Sequence, residues 1–347
     1  MYSNDKDLIR DFHLKAGHGK SSIKSYRTVF NKYCSFHCMS LCELLREAIT
    51  EQESHVPENR LSVYDRIVSF RNFLARNHMP NTISNSVSKI KTFYRYNRVY
   101  LPFIPTLNTK NIPKKDVISF EDIPSKDELD LALQFSDDNL KLWILVMLSS
   151  GTSRAEAKSI TNRLFFNGTY EYHRKDNFRD ALKYLADKNN VVCTCKLIRS
   201  KTDKPYYTFL NPECVQMIAK IKLKEKDFDL DAPLLKYNLN YVNYKFKALN
   251  DYLGFGTAGG FARLRPHMLR KFNSTYLTQG SPDGVLDMGL VDELHGRGKN
   301  KTRDAYYKDN PEYLKRKYIE CMDNVSLYHR YSWEIVDGKI IVYSEKR

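Results

Sequence analysis

Long apolar runs are missing from this sequence. No uninterrupted stretch approaches the roughly 18 residues of a membrane span, and the opening Met1-Tyr2-Ser3-Asn4-Asp5-Lys6-Asp7 has no apolar leader core. The expectation is a cytoplasmic chain with no membrane partner. Paired cysteines are missing too. The seven cysteines are odd in number and never in the C-x-x-C spacing of a zinc module. Cys34, Cys38 and Cys42 recur every four residues, as one buried helical face would place them, although His37 nearby would also suit a metal. Cys193 and Cys195 alternate as on one face of a strand. No carboxylate cluster suits Mg²⁺, so neither metal nor cofactor is expected. Acidic residues are in deficit: 41 Asp and Glu against 56 Lys and Arg leave a net charge of +15. Such a balance implies a polyanionic partner, most often nucleic acid. An anionic membrane surface competes, but the basic residues are spread over both halves of the chain rather than gathered on one apolar helix.

With 42% hydrophobic residues the chain is too apolar for disorder, and 347 residues suit two domains. Residues 1–20 are polar and read as frayed or loosely helical. Ile23, Tyr26, Phe30, Tyr33 and Cys34 recur at helical spacing after an N-cap at Ser21 or Ser22, and Leu41 to Ile49 reads as a second helix. Residues 52–59 read as a loop. A third helix carries Val63, Ile67, Phe70 and Leu74. A fourth, capped near Asn81 or Thr82, carries Val87, Ile90, Phe93 and Tyr94. Lys89, Lys91, Arg95 and Arg98 interleave with those aromatics, as on a helix laid along a DNA backbone, or on a solvated amphipathic one. Three prolines in 101–114 mark a linker. The boundaries expected are a helical domain over 1–100, a linker over 101–118, a second domain over 119–325 and a tail over 326–347.

In the second domain, Ser125 to Glu128 is a capping-box pattern, and Leu142 to Leu148 reads as a central buried helix. The break at Gly151 and a fresh helix start leave Arg154 near a helix N-terminus, suited to an anion or to a structural role. Residues 162–213 read as the β portion. Within it Val191–Ile198 and Tyr206–Leu210 form a hairpin flanked by Lys196, Lys201 and Lys204. After Pro266, His267 and Arg270 fall three apart on one helical face, an imidazole beside a guanidinium that stays charged. Further on, Tyr306 and Tyr307 sit among Arg297, Lys301, Arg303 and Lys308. A phenol, with an ordinary pKa of roughly 10, becomes a usable nucleophile when cations stabilise its phenolate or a base takes its proton. These residues describe a site for an anionic substrate with a tyrosine nucleophile. A terminal hairpin is expected around Asp337-Gly338.

An Arg after a Gly break, a lysine hairpin, His-x-x-Arg and a Tyr, in that order, resemble the tyrosine recombinase (phage integrase) family. Ser149 to Ala157 is similar to the Ser-Ser-Gly-x-x-Arg-x-Glu-Ala of integrases from archaea and their viruses or plasmids. Thr302 to Glu312 is similar to their Thr-x-x-Ala-Tyr-Phe/Tyr-Lys run before Asn-Pro-Glu. The resemblance implies a mainly α fold with a small antiparallel β-sheet, an N-terminal helical core-binding domain built as a four-helix bundle, and a C-terminal catalytic domain. It implies a site-specific recombinase that cuts and rejoins double-stranded DNA at attachment sites through a 3′-phosphotyrosyl intermediate. A homotetramer on DNA, with accessory DNA-bending proteins, would be the working form. By position, Arg154 and Arg270 match the phosphate-clamping arginines and His267 the histidine of His-x-x-Arg. Tyr306 matches the nucleophile, with Tyr307 the alternative. Lys201 matches the lysine that protonates the leaving oxygen, with Lys204 close behind. Glu156 would orient neighbouring cations. The family usually reads Leu-x-Gly-His, or has Trp at the last position, where this chain reads Leu294-His295-Gly296-Arg297. Arg297 then stands in the place of a second histidine, and His295 would serve only if the loop shifts by two residues. The alternatives are a DNA-binding protein without catalysis and a type IB topoisomerase, which would share the chemistry.

Overall fold

The computed structural model describes residues 4–108, 117–280, 285–297, 310–337 and 339–346. The chain divides into two compact units, Met1–Asp116 and Val117–Arg347. Among the described residues no helix is long and apolar enough to cross a membrane.

The first unit holds α1 (Asp5–Lys15), α2 (Lys20–His37), α3 (Leu41–Glu53), α4 (Ser62–Ala75) and α5 (Pro80–Tyr96), with a 3-10 turn at Glu58–Arg60. It therefore has five described helices rather than the four expected. The polar opening residues are helical because Leu8 and Phe12, one turn apart, are buried in the core. The Asp5 carboxylate also accepts from the backbone N–H of Leu41 and Cys42, at 3.0 and 2.9 Å, capping α3 from outside. Phe12, Phe30, Tyr33, Phe70, Phe93 and Tyr94 fill the core, where the Tyr33 and Tyr94 hydroxyls meet at 3.2 Å. α2 starts one turn earlier than expected, at a Gly19 N-cap. α3 runs on through Glu53. Pro80 is the first residue of α5, where its missing N–H costs nothing. Cys38 is left-handed and ends α2, so Cys34 and Cys42 lie on different helices and the cysteines do not share one helical face. The proline-rich stretch begins inside this unit: Ile104 is buried in the same core, and the Pro105 carbonyl accepts from Arg71 at 2.6 Å.

The second unit begins with α6 (Lys126–Gln134), α7 (Asp138–Ser150) and α8 (Arg154–Ser159). Every residue of α7 from Leu142 to Ser150 is buried, so the other elements pack around it. α9 (Asn162–Gly168), α10 (Tyr170–His173) and α11 (Phe178–Ala186) occupy the first half of the segment expected to be β. Thr161 and Asn177 cap α9 and α11, and Phe178, Ala181, Leu182 and Leu185 recur at helical spacing on the buried side. The hairpin follows as β1 (Cys193–Ile198) and β2 (Pro205–Leu210), antiparallel, pairing Cys193 with Leu210 and Ile198 with Pro205. Next come α12 (Pro212–Lys222), α13 (Leu239–Tyr252), β3 (Thr257–Ala258), β4 (Phe261–Ala262), α14 (Pro266–Gln279), α15 (Met288–Leu294), α16 (Pro311–Cys321), β5 (His329–Val336) and β6 (Lys339–Lys346). A mainly α architecture with small antiparallel β elements is what the sequence leads one to expect. The β content is three separate two-stranded sheets among the described residues. The terminal pair is held to α12 by Glu213, whose buried carboxylate accepts from the N–H of Leu327, Tyr328 and His329.

Candidate active site

α14 opens on Pro266, so His267 and Arg270 project one turn apart from its first turns. Together with Lys271 and Arg297 they line a cavity of about 300 Å³ whose wall also includes Ser119, Ser274 and Thr275. Four basic side chains on one small cavity, with no acidic residue on its described wall, suit it to an anion.

Arg270 is the buried centre of this group. One Nη donates to the Gly151 carbonyl at 2.7 Å, the other to the His295 carbonyl at 3.0 Å. Glu156, itself buried, lies 3.6 Å from it. Burial pushes the Arg270 pKa down to about 10, with Arg297 and Arg199 pushing the same way and Glu156 opposing. The guanidinium still keeps its proton at neutral pH. Glu156 is fixed by a capping box: it accepts from the Ser153 N–H at 2.8 Å, while Ser153 caps α8. The helix cap and the ion pair thus use the same carboxylate.

Beneath Arg270 the polar groups interlock. Asn273, one further turn along α14, donates from Nδ2 to the Leu148 and Ser149 carbonyls at 2.8 and 2.9 Å. Its Oδ1 therefore faces His295 Nε2 at 2.7 Å as an acceptor, and His295 carries its proton on Nε2. His295 is fully buried, and its Nδ1 has no hydrogen-bond partner among the described residues. Desolvation, then Arg270, Arg297 and Arg199, hold its pKa well below the usual histidine value. His295 is packed under the site. Gly151 and Gly296 make the packing possible. Both are left-handed, with φ of 61°. A Cβ on Gly151 would stand 2.0 Å from His295 Nε2, and one on Gly296 2.6 Å from the Tyr206 ring.

His267 is exposed on the cavity wall. Partial desolvation lowers its pKa, and Lys271, Arg265, Arg270 and Arg297 lower it further, so the imidazole is neutral at neutral pH. Arg297 follows α15, and its Nη1 pairs with Asp292 at 3.0 Å.

Other expected residues stand apart from the cavity wall. Arg154 is the first residue of α8 and donates to the Leu239 carbonyl at 2.8 Å, at the start of α13. Lys201 is exposed and Lys204 half-buried in the turn between β1 and β2. Tyr306 and Tyr307 lie outside the described residues. In the first unit the four basic residues Lys89, Lys91, Arg95 and Arg98 do not form one face. Lys91 and Arg95 share a groove with Arg71. Lys89 points to α2, bonding Ser25 at 2.6 Å, because residues two apart lie on opposite sides of a helix. Arg98 lies beyond the end of α5 with φ 61°. Among the described residues no three His, Cys, Asp or Glu side chains gather as metal ligands.

Besides Lys271 on the cavity wall, two residues of this site are not marked by the sequence motifs. Asn273 continues the 267, 270 series at the same interval, so helical spacing marks it. Arg199 lies two residues before Lys201, and its Nη1 donates to the same His295 carbonyl at 2.7 Å; nothing local in the sequence signals a contact so far along the chain.

No protein-family model and no curated protein matches the sequence. Among solved structures, the chain is similar to XerA recombinase, at 16% identity and a TM-score of 0.36, over 90% of this chain and 95% of that one. It is similar to XerH site-specific recombinase bound to difH substrate in a pre-cleavage complex, at 15% identity and a TM-score of 0.45, over 70% of this chain and 66% of that one. It is also similar to XerH in a post-cleavage complex with palindromic difH substrate, at 16% identity and a TM-score of 0.47, over 73% and 68%. At such identities and TM-scores the likeness assigns no residue a role. These three structures are of recombinases, two of them complexes with substrate DNA sites named difH.

Proposed function

We propose that the chain is a site-specific DNA recombinase of the tyrosine type, with DNA-contacting helices in the first unit and strand cleavage in the second. The observation that carries this reading is the cavity of His267, Arg270, Lys271 and Arg297, with Glu156 on its buried arginine. Such a cavity suits the singly charged phosphodiester of a nucleic-acid backbone, in a chain of net charge +15.

Chemically, the Tyr306 hydroxyl attacks the phosphorus of a DNA phosphodiester. A P–O bond forms to the tyrosine, and the bond from phosphorus to the 5′ oxygen breaks. Arg270 and Arg297, with Arg154, neutralise the charge that grows on the non-bridging oxygens. Neutral His267 is able to accept the phenolic proton, and Lys201 supplies a proton to the departing 5′ oxygen. The 3′-phosphotyrosyl link conserves the bond energy. A second 5′ hydroxyl attacks it, reversing the same steps and completing strand exchange without a nucleotide cofactor.

The test is a nicked suicide duplex carrying the attachment site, run with wild type, Tyr306→Phe and Tyr307→Phe on denaturing gels. A covalent adduct lost only in Tyr306→Phe is the expected result. Loss only in Tyr307→Phe keeps the chemistry and moves the nucleophile by one residue. No adduct on a site the protein binds would leave a DNA-binding protein without catalysis. Relaxation of supercoiled DNA without a partner site would mark topoisomerase-type activity.

A further inference from the structure

The turn carrying Lys201 is closed by one residue. Arg199 N–H donates to the Lys204 carbonyl at 2.9 Å, and the Arg199 carbonyl accepts from Thr202 and Asp203 at 3.2 and 2.9 Å. Asp203 takes the left-handed conformation such a tight turn requires. Apart from the strand pairing at its base, the described bonds of the turn thus converge on Arg199. Its side chain leaves the turn and donates to the His295 carbonyl, which Arg270 also uses. A single peptide oxygen thereby ties the hairpin turn to the buried arginine. The His295 peptide cannot drift, because its ring is locked to Asn273 and its N–H is bonded back to Val291 at 3.0 Å. Two guanidinium groups on one oxygen repel each other, and among the described residues Glu156 forms an ion pair with Arg270 and none with Arg199. The arrangement is therefore favoured further when an anion enters beside them.

We propose that Arg199 is a positioning residue for proton delivery: by clasping the His295 carbonyl it docks the 199–204 turn on the phosphate site and so brings Lys201 to the leaving oxygen. The proposal rests on the strand-cleavage reading above. It separates Arg199 from Arg270 and Arg297, which act on the phosphate itself.

Sulfur in place of the bridging 5′ oxygen separates these roles. A thiol, with a pKa of roughly 8.5, departs as thiolate without needing a proton, whereas an alkoxide does not. On ordinary nicked duplex, Arg199→Ala and Lys201→Ala should each slow adduct formation by about 100-fold, the scale of a lost general acid. On 5′-thio duplex both should fall within about 3-fold of wild type, on the same scale of proton-transfer catalysis. Arg270→Ala should be slow on both. If Arg199→Ala is equally slow on both duplexes, Arg199 serves the phosphate or the fold and the proposal is overturned. It is overturned as well if Arg199→Ala is unaffected on oxygen, or if Lys201→Ala is not rescued by sulfur. Amide hydrogen exchange of the full chain decides the clasp independently. Arg199→Ala should speed exchange in 199–204 and at 295–297 while leaving α7 protected; unchanged exchange in the turn overturns the proposal. If wild type forms no adduct but exchange in the turn responds, the recombinase reading has failed and the clasp remains.

Discussion

Replacing Gly151 by Ala probes the floor of the site. The residue ends α7 with φ of 61°, a region where a Cβ costs about 1 kcal/mol. The new Cβ would stand 2.0 Å from His295 Nε2 and 2.5 Å from Asn273 Oδ1. Those atoms are hydrogen-bonded to each other and buried, so they can yield only by breaking that bond. Losing it while both groups stay buried adds about 1–3 kcal/mol, and overpacking adds about 1–3 more. The total is about 3–7 kcal/mol. For a unit of this size each kcal/mol lowers Tm by about 2–4 °C, so a fall of at least about 6 °C is expected by calorimetry of the full chain. Gly254→Ala is the control. It has φ of 67° with nothing within 4 Å of its Cβ, so it carries the conformational cost alone, about 1 kcal/mol and a few degrees. Equal shifts in the two variants would refute the packing argument and, with it, the interlock of Gly151, Asn273 and His295 beneath Arg270.

Stability should also fall in acid through His295. Its folded pKa is held well below 6.5, so below that pH the unfolded chain binds a proton that the folded chain refuses. Stability is then lost as pH falls, by up to about 1.4 kcal/mol per unit for this group. Chemical denaturation between pH 7.5 and 5.5 should show this slope reduced in His295→Gln, and an unchanged slope would refute it. In the first unit, Lys91 and Arg95 share one groove and Lys89 lies on the other side of α5. Removing Lys91 and Arg95 together should reduce the salt slope of duplex binding by about 2. Lys89→Ala should leave it unchanged, and the reverse pattern would place the DNA on the α2 side.

What could be read from the sequence was whatever depended on near neighbours. The almost wholly apolar run of α7, the capping boxes at Ser125 and Ser153, and the His-x-x-Arg interval each express a contact within one or two turns. Long-range contacts were not legible. Residues 4–15 look polar, yet α1 is held by an Asp5 carboxylate capping a helix more than thirty residues away. Residues 162–186 look mixed, and the helical spacing of Phe178, Leu182 and Leu185 was overshadowed by the strong strand pattern after Val191. The basic residues of α5 were counted as one set because they are close in sequence; helix geometry divides them. Arg199 is invisible to a motif among the lysines because its partner is a backbone carbonyl, which no side-chain pattern records.

The arginine at 297 has a physical reason once the field around it is considered. His267 is lowered by four cations, among them Arg270 and Arg297. His295 is driven well below the usual histidine value by burial first, then by Arg270, Arg297 and Arg199. An ordinary imidazole, with a pKa of about 6.5, is largely uncharged at neutral pH and would offer a hydrogen bond but little charge. A guanidinium keeps its charge in such company, as Arg270 does even when burial pushes it down to about 10. The site therefore divides its labour by chemistry: arginines hold the positive charge, and the imidazole on the described cavity wall, His267, remains neutral and able to move a proton. On the proposed reading, Arg297 strengthens the phosphate clamp and transfers the whole of the acid–base work to His267 and the hairpin lysine.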